Sequence, residues 1–288
     1  MLNIKPKFNA LIKKSTKKVD EILLFRTLSE VLNNEKINNC YINVCETHQK
    51  KVAFKSKYRA KEKEIEISDL LIISYKKTEI NTFKITFLQN KYNKKLNPFN
   101  HSKFYANKFQ FELLSKRPKL KSLSKTMKFP DEILSFASQD SIGSYGIFYN
   151  KHGAYNMSYS IANKILPINK TKRRINSNLN CSFQLKLEKN LKKFGELVST
   201  FEINTFLQSL INGQIGAKVD IKNNSHLEIA RVIYNALNFA VAEKPSTAHL
   251  QNIKGLIETL KSNEPNLFDD SDELKMLCNN ILIIEREN

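Results

Sequence analysis

Two stretches of this 288-residue chain, EIEISDLLIISY (Glu64–Tyr75) and NTFKITFLQNKY (Asn81–Tyr92), decide its fold. Apolar residues recur at every second position in both stretches, which is the period of a β-strand that buries one face. The connecting residues 76–80, KKTEI, are few enough to form a hairpin connection. The pattern therefore predicts two antiparallel neighbouring strands.

Three polar residues interrupt the apolar rows of these strands. Asp69 shares its face with Ile67 and Leu71, and Gln89 and Lys91 continue the phenylalanine-lined face of the second strand. A carboxylate among apolar neighbours is costly unless a cation or several donors satisfy it. We therefore expect the three side chains to converge on one sheet face. The alternatives are that Asp69 is an edge carboxylate paired with a lysine, and that the second strand ends before Gln89.

This combination of groups suits phosphodiester hydrolysis. That reaction uses a divalent metal held by hard oxygen ligands, and a cation near the developing charge. Asp69 supplies a carboxylate, Gln89 an amide oxygen and Asn90 a carbonyl oxygen, while Lys91 supplies the cation. The metal implied by such ligands is Mg²⁺ or Mn²⁺.

Beyond the hairpin, the chain divides by pattern. Apolar residues at helical spacing in Val19–Glu35 predict an amphipathic helix before the strands, and residues 103–117 predict another after them. From about Phe194 onward the pattern is helical. The sequence thus predicts an α/β domain over residues 1–193 and an all-α C-terminal domain over residues 194–288.

These features resemble the PD-(D/E)XK nuclease superfamily, whose restriction-endonuclease-like fold is a mixed sheet flanked by helices. The resemblance implies that Glu30 lies on the first helix, Asp69 on a strand, and Gln89-x-Lys91 on its neighbour. Gln110, on the following helix, matches a glutamine found in some branches. In this chain Gln89 stands where most members have glutamate, and no proline precedes Asp69.

The resemblance covers about residues 15–118 and implies a metal-dependent DNA endonuclease. Glu30, Asp69, Gln89 and Asn90 would hold the metal, and Lys91 would assist the nucleophilic water; Glu21 is the alternative to Glu30. By analogy, such an enzyme serves as an effector in bacterial antiviral defence or restriction. Two other hypotheses stay open: a catalytically inactive nucleic-acid-binding subunit, and an RNase with the same site.

The charge distribution supports a polyanionic partner. Residues 1–195 hold 39 basic and 15 acidic residues, whereas residues 196–288 hold 8 and 13. Such asymmetry predicts that the first part contacts a polyanion and that the C-terminal helices bind a partner protein or a second copy of the chain. The resemblance implies that the polyanion is DNA, expected to be double-stranded. The basic residues expected to contact phosphates are Lys94, Lys95, Lys103, Lys108, Lys172, Arg173 and Arg174.

Four aromatic residues lie among these lysines and would stack on bases if the strands are unpaired, or else pack in the core: Tyr92, Phe99, Phe104 and Tyr105. No stretch approaches the roughly 20 apolar residues that cross a bilayer. The N-terminus lacks an apolar run of signal-peptide length, and the four cysteines have no disulfide-framework spacing. We therefore expect a cytoplasmic protein with no membrane partner.

Overall fold

A computed structural model shows a mixed α/β protein. It describes residues 3–33, 35–37, 40–46, 51–94, 103–123, 130–168, 178–183, 190–193, 195–243, 248–263 and 278–287. The helices are α1 (Lys5–Lys14), α2 (Glu21–Leu32), α3 (Lys108–Lys116), α4 (Ile203–Ile211), α5 (Leu227–Glu243) and α6 (Ala248–Asn263). The strands are β1 (Glu35–Ile37), β2 (Cys40–Glu46), β3 (Val52–Phe54), β4 (Lys63–Ile65), β5 (Ser68–Lys76), β6 (Thr82–Tyr92), β7 (Lys103–Asn107), β8 (Lys121–Ser122), β9 (Gly143–Lys151), β10 (Ala154–Ile161), β11 (Ile165–Pro167), β12 (Asn178–Phe183), β13 (Asn190–Lys193), β14 (Glu196–Thr200), β15 (Ala217–Asp220) and β16 (Cys278–Arg286).

One large mixed sheet organises the fold. Its strand order is β1-β2-β16-β5-β6-β9-β10-β14-β13, and β15 pairs with β6 beside this path. The predicted hairpin is confirmed, because β5 and β6 pair antiparallel with Leu70 opposite Leu88. Two small sheets, β11-β12-β7 and β4-β3-β8, complete the described strands.

The all-α character predicted for residues 194–288 is not confirmed. Helices α4, α5 and α6 do form there, but β14, β15 and β16 join the main sheet. The largest of these additions is β16, which lies between β2 and β5, antiparallel to the first and parallel to the second. A strand buried on both faces is a continuous apolar run that periodicity does not separate from a helix, and ILII (281–284) is such a run. Hydrogen bonds of the sheet thus cross the predicted division at residues 193 and 194.

The main sheet has a hydrophobic core on each face. One core includes side chains of α3, α5 and α6, and the other includes side chains of α1, α2 and α4. The amphipathic helix predicted over Val19–Glu35 is confirmed as α2, although Ile22 is 61% exposed. None of the described helices has the length and apolar character needed to traverse a bilayer.

Residues 103–117 are not one helix as predicted. They form β7 and then α3, and the side chain of Asn107 caps the start of α3 by accepting hydrogen bonds from the N–H groups of Phe109 and Gln110. An asparagine N-cap begins a helix at the residue that follows it. The apolar residues Phe104 and Ala106 therefore alternate on a strand instead of lying on a helical face.

Candidate active site

Asp69 lies at the end of the β5–β6 pairing, one residue beyond the Leu70–Leu88 pair. Its Oδ2 accepts the backbone N–H of Asn90 at 2.7 Å and also the side-chain Nε2 of Gln89. Gln89 is only 6% exposed. The carboxylate is therefore satisfied by two N–H donors of the adjacent strand, and the amide nitrogen of Gln89, not its oxygen, faces Asp69.

A third strand, β16, also contacts Asp69. Nδ2 of Asn280, on β16, donates to the backbone carbonyl oxygen of Asp69 at 3.2 Å. Cys278 on β16 pairs with Ser68 in the parallel register, so this strand runs alongside the start of β5. Asp69 is thus fixed from both sides, by β6 and by β16.

Lys91 completes the polar cluster through α2. Its Nζ lies 3.0 Å from Oε1 of Glu21, the first residue of that helix, and the two side chains are 23% and 35% exposed. Burial raises the pKa of the Glu21 carboxyl; the Lys91 charge opposes this rise, and the negative charge of Asp69 adds to it. Glu21 and Asp69 are therefore close enough to repel each other, with one lysine to offset both charges.

The pKa of the Asp69 carboxyl is also raised. Burial is the main cause, and the charge of Lys91 together with the hydrogen bonds from Asn90 and Gln89 offsets only part of it. The Lys91 charge and the two hydrogen bonds therefore compensate only in part for the desolvation free energy of the ionised Asp69 carboxylate. A further cation beside it would lower that cost.

Asp69 and Glu21 line one surface cavity of about 300 Å³. A second cavity, of about 420 Å³, adjoins it along α2 and contains Glu30. The two cavities share Arg26, Glu46 and Asn280, and Arg26 is 3.8 Å from Glu46 across the cleft. The remaining lining residues of the first cavity are Ile22, Phe25 and Asn90.

The structure thus brings together Asp69, Gln89, Asn90 and Lys91 as the sequence predicted. It places Glu30 in the second cavity, and Glu21 is the helix glutamate that contacts Lys91. The helical pattern of α2 does not by itself distinguish the two glutamates, because the pattern does not fix which of them meets the end of β6.

Gln110 is not in the cavity. Its Nε2 donates to the backbone carbonyl oxygen of Ile67, and the side chain is 5% exposed. It therefore anchors α3 to the chain just before β5. This contact places Gln110 among the groups that position the strand carrying Asp69.

The predicted phosphate-binding residues differ in accessibility. Lys94 and Lys103 are exposed. Lys108 is only 6% exposed, and its Nζ lies 5.7 Å and 4.9 Å from the ring centroids of Tyr58 and Phe109. A lysine packed against two rings is not presented to a phosphate backbone. Four more predicted contacts lie outside the described residues, namely Lys95, Lys172, Arg173 and Arg174.

The oxygen-bearing side chains that line the cavity fit a small divalent cation. Glu21 and Asp69 line the cavity with carboxylates, and Asn90 and Asn280 line it with side-chain amides; oxygens of both groups are hard ligands. Within the described ranges, no three His, Cys, Asp or Glu side chains assemble into a metal-binding group. Mg²⁺ needs no such cage, because it is commonly held by one or two carboxylates, with waters and substrate phosphates filling the remaining positions.

Comparison with known proteins gives no relative: no protein-family model matches the chain, and no curated protein or solved structure is significantly similar to it. The site itself is a cleft lined by the carboxylates of Glu21, Glu46 and Asp69 and by Arg26, with Lys91 in contact with Glu21.

Proposed function

We propose that this protein is a metal-dependent nuclease that hydrolyses phosphodiester bonds of DNA. The observation that supports it best is that Asp69 and Glu21 line one cavity while Lys91 contacts Glu21, and that the negative charge of Asp69 raises the pKa of the Glu21 carboxyl. Three carboxylates line the cavity, those of Asp69, Glu21 and Glu46. The cations beside them are Arg26, which lies near Glu46, and Lys91, which pairs with Glu21, so the carboxylates outnumber the cations by one. A divalent cation supplies the missing positive charge.

Asp69 and Glu21 would hold the Mg²⁺ or Mn²⁺ ion, with amide or carbonyl oxygens of Asn90 and Gln89 nearby. When bound, the ion supplies a Lewis acid for the phosphate and lowers the pKa of a coordinated water. Gln89 has a second role in the proposal, since its Nε2 donates a hydrogen bond that holds the Asp69 carboxylate in place. An ionised glutamate has no N–H group and does not make this hydrogen bond.

Lys91 is the proposed electrostatic catalyst. Its ammonium group ion-pairs with Glu21 at 3.0 Å while remaining 23% exposed at the edge of the cavity. Release from Glu21 lets Nζ donate to the attacking water or to a phosphate oxygen as negative charge develops. The flexible four-carbon stem of lysine allows this movement without a change in the backbone.

The basic excess of residues 1–195 favours a nucleic acid as the substrate, and we propose double-stranded DNA with sequence-independent phosphate contacts. A role as an antiviral-defence or restriction effector, with the C-terminal helices contacting a partner, follows from the family resemblance. Helices α5 and α6 already pack residues such as Ile233 and Ile257 into the core, so a partner would contact their outer faces.

The decisive experiment measures cleavage of plasmid DNA, a linear duplex and RNA with Mg²⁺, with Mn²⁺ and with EDTA. We expect cation-dependent cleavage of DNA, and a fall of about 10²-fold or more for Lys91→Ala and Asp69→Asn. Lys254→Ala and Glu258→Gln are matched controls, because both residues are exposed on α6. Equal activity of Lys91→Ala and the wild type would remove Lys91 from the mechanism, and faster cleavage of RNA would make the enzyme an RNase.

A second candidate is a catalytically inactive nucleic-acid-binding subunit. The orientation of Gln89 favours it, because the amide nitrogen meets Asp69 and the site has one carboxylate fewer than a glutamate would give. This candidate predicts salt-sensitive DNA binding without cleavage under any cation. It also predicts that Asp69→Asn leaves DNA affinity unchanged in EDTA.

A further inference from the structure

The exposed face of the small sheet β11-β12-β7 differs from the rest of the surface. Among the described residues, five large hydrophobic side chains are exposed, and three of them lie on this face or directly after β11: Tyr105 (67%), Leu166 (41%) and Ile168 (40%). Concentration of exposed apolar side chains in one place marks an interaction surface.

The strand register explains how these residues come together. Leu166 pairs with Ser182, and Ser182 pairs with Lys103, so the three occupy one row across the sheet. Tyr105 lies two residues from Lys103 and so points to the same face. Phe104 alternates with them and is buried at 1% exposure. Tyr105, Lys103 and Leu166 therefore lie on the outer face.

The charge of this face is positive. Lys103 is exposed, and β7, β11 and β12 contain no Asp or Glu in their sequences. More broadly, residues 81–130 hold 12 basic residues and one acid, Glu112. That acid is 6% exposed and accepts the backbone N–H of Lys57 at 2.7 Å. An anionic partner consequently meets no exposed carboxylate on these strands.

Two hydrogen bonds connect the segment around β7 to the strands of the candidate active site. Nδ2 of Asn93, two residues after Lys91, donates to the backbone carbonyl oxygen of Lys103 at 2.6 Å. At the other end of β7, α3 is anchored beside β5 through Gln110 and Ile67. The segment that carries Tyr105 is therefore held at one end by the residue that follows β6 and at the other by the residue that precedes β5.

We infer that this face binds an unpaired stretch of the DNA substrate, with a base stacked on Tyr105 and an adjacent phosphate on Lys103. An exposed aromatic ring beside a lysine is the arrangement that holds single strands without sequence preference. A duplex keeps its bases stacked on each other and gains nothing from the tyrosine. The inference deepens the proposed function and rests on it for the choice of DNA.

The test is the fluorescence anisotropy of a labelled 20-nucleotide single strand and the matching duplex, titrated with full-length protein in EDTA. We expect Tyr105→Ala to weaken binding of the single strand about tenfold or more and to leave duplex binding unchanged. Tyr105→Phe keeps the ring and should bind as the wild type does. Lys103→Ala should reduce the salt slope by about one.

Leu123→Ala is the control for an exposed apolar side chain elsewhere, since Leu123 is 47% exposed. Unchanged single-strand affinity in Tyr105→Ala, or an equal loss on single strand and duplex, would refute the inference. So would a change of sedimentation coefficient in Tyr105→Ala, because the face would then join two copies of the chain. The binding assay is independent of cleavage because it is done in EDTA. If Tyr105→Ala weakens single-strand binding but the protein cleaves DNA under no condition, the nuclease proposal is refuted and the binding inference stands.

Discussion

Glu21 and Glu30 illustrate how one helix offers two acids to different cavities. They are nine residues apart on α2, which corresponds to two and a half turns and about 13 Å along the axis. Glu21, at the first turn, meets Lys91, whereas Glu30 lines the adjoining cavity. One metal ion beside Asp69 is therefore within reach of Glu21 and not of both.

Exchange of each glutamate for glutamine tests this assignment. We expect Glu21→Gln to reduce the single-turnover cleavage rate about 10²-fold, because the cavity loses a ligand and Lys91 loses its partner. Glu30→Gln should retain the rate within about threefold. The measurement is quenched cleavage of a labelled DNA at saturating protein. A larger loss in Glu30→Gln than in Glu21→Gln would restore Glu30 to the site.

At the scale of elements, α3 and β9 are in close contact near the site. A Cβ atom on Gly143, the first residue of β9, would overlap the backbone carbonyl oxygen of Leu114 on α3. β9 pairs parallel with β6 along Gln89–Tyr92. Displacement of β9 at this point would therefore be transmitted to the strand that carries Gln89 and Lys91.

Gly143→Ala should destabilise the protein by about 1–3 kcal/mol, since backbone atoms must move to admit the methyl group. Gly255→Ala is the matched control, because no atom lies within 4 Å of the added Cβ in the middle of α6. There the substitution should stabilise by about 0.5–1 kcal/mol through helix propensity. Urea unfolding followed by circular dichroism measures both, and equal effects would contradict the close packing at Gly143.

Two ion pairs of Asp140 connect segments at the same junction. Its carboxylate lies 3.4 Å from Arg117, just after α3, and 3.2 Å from Lys164. Partial burial by itself opposes ionisation, but hydrogen bonds from Asn163 and Lys164 outweigh it, so the pKa of Asp140 is lowered. Since its pKa in the unfolded chain is about 3.9, the ionised carboxylate stabilises the fold above that pH, and this contribution is lost as the pH falls through the folded pKa.

Asp140→Asn should therefore cost about 1 kcal/mol near pH 7, the upper range for a partly exposed ion pair. The difference from the wild type should shrink as the pH drops below about 4. Unfolding midpoints measured between pH 3 and pH 8 provide the comparison. A difference that is constant over this range would show that the carboxylate charge does not stabilise the junction.

Local patterns explain which elements the sequence predicts correctly. Helix α2 and the β5–β6 hairpin follow from periodicities within about a dozen residues, and both are confirmed. The boundary between β7 and α3 depends on a single capping residue, Asn107, which an apolar period does not reveal. The burial of Lys108 against Tyr58 depends on a segment fifty residues away, so its exposure was not predictable from its neighbours in sequence.

At the scale of the whole molecule, β16 pairs the last described residues of the chain with two strands from its first 80 residues. It inserts between β2 and β5, and through Asn280 it holds the backbone of Asp69. Ile283, in the middle of the strand, is fully buried. The sequence pattern predicts helix for this region, but a short apolar run fits a buried strand as well, and only pairing with strands about 200 residues earlier decides between them.

Ile283→Ala should cost about 2–5 kcal/mol, as expected for a large-to-small change in a close-packed core. Leu123→Ala, at an exposed position, should change the unfolding free energy by less than about 0.5 kcal/mol. Urea unfolding of both variants measures the difference. A small effect at Ile283 would mean that β16 contributes little to the sheet.

The insertion of β16 also has a kinetic consequence. The strands on its two sides, β2 and β5, have no backbone hydrogen bonds to each other in the described sheet order. Until residues 278–286 arrive, each therefore presents an open edge of the kind that pairs with other chains. Because closing a loop of some 200 residues is slow, the refolding chain passes through a period in which aggregation competes with completion of the sheet. Yield on refolding should accordingly fall as protein concentration rises, even under conditions where the finished fold is stable.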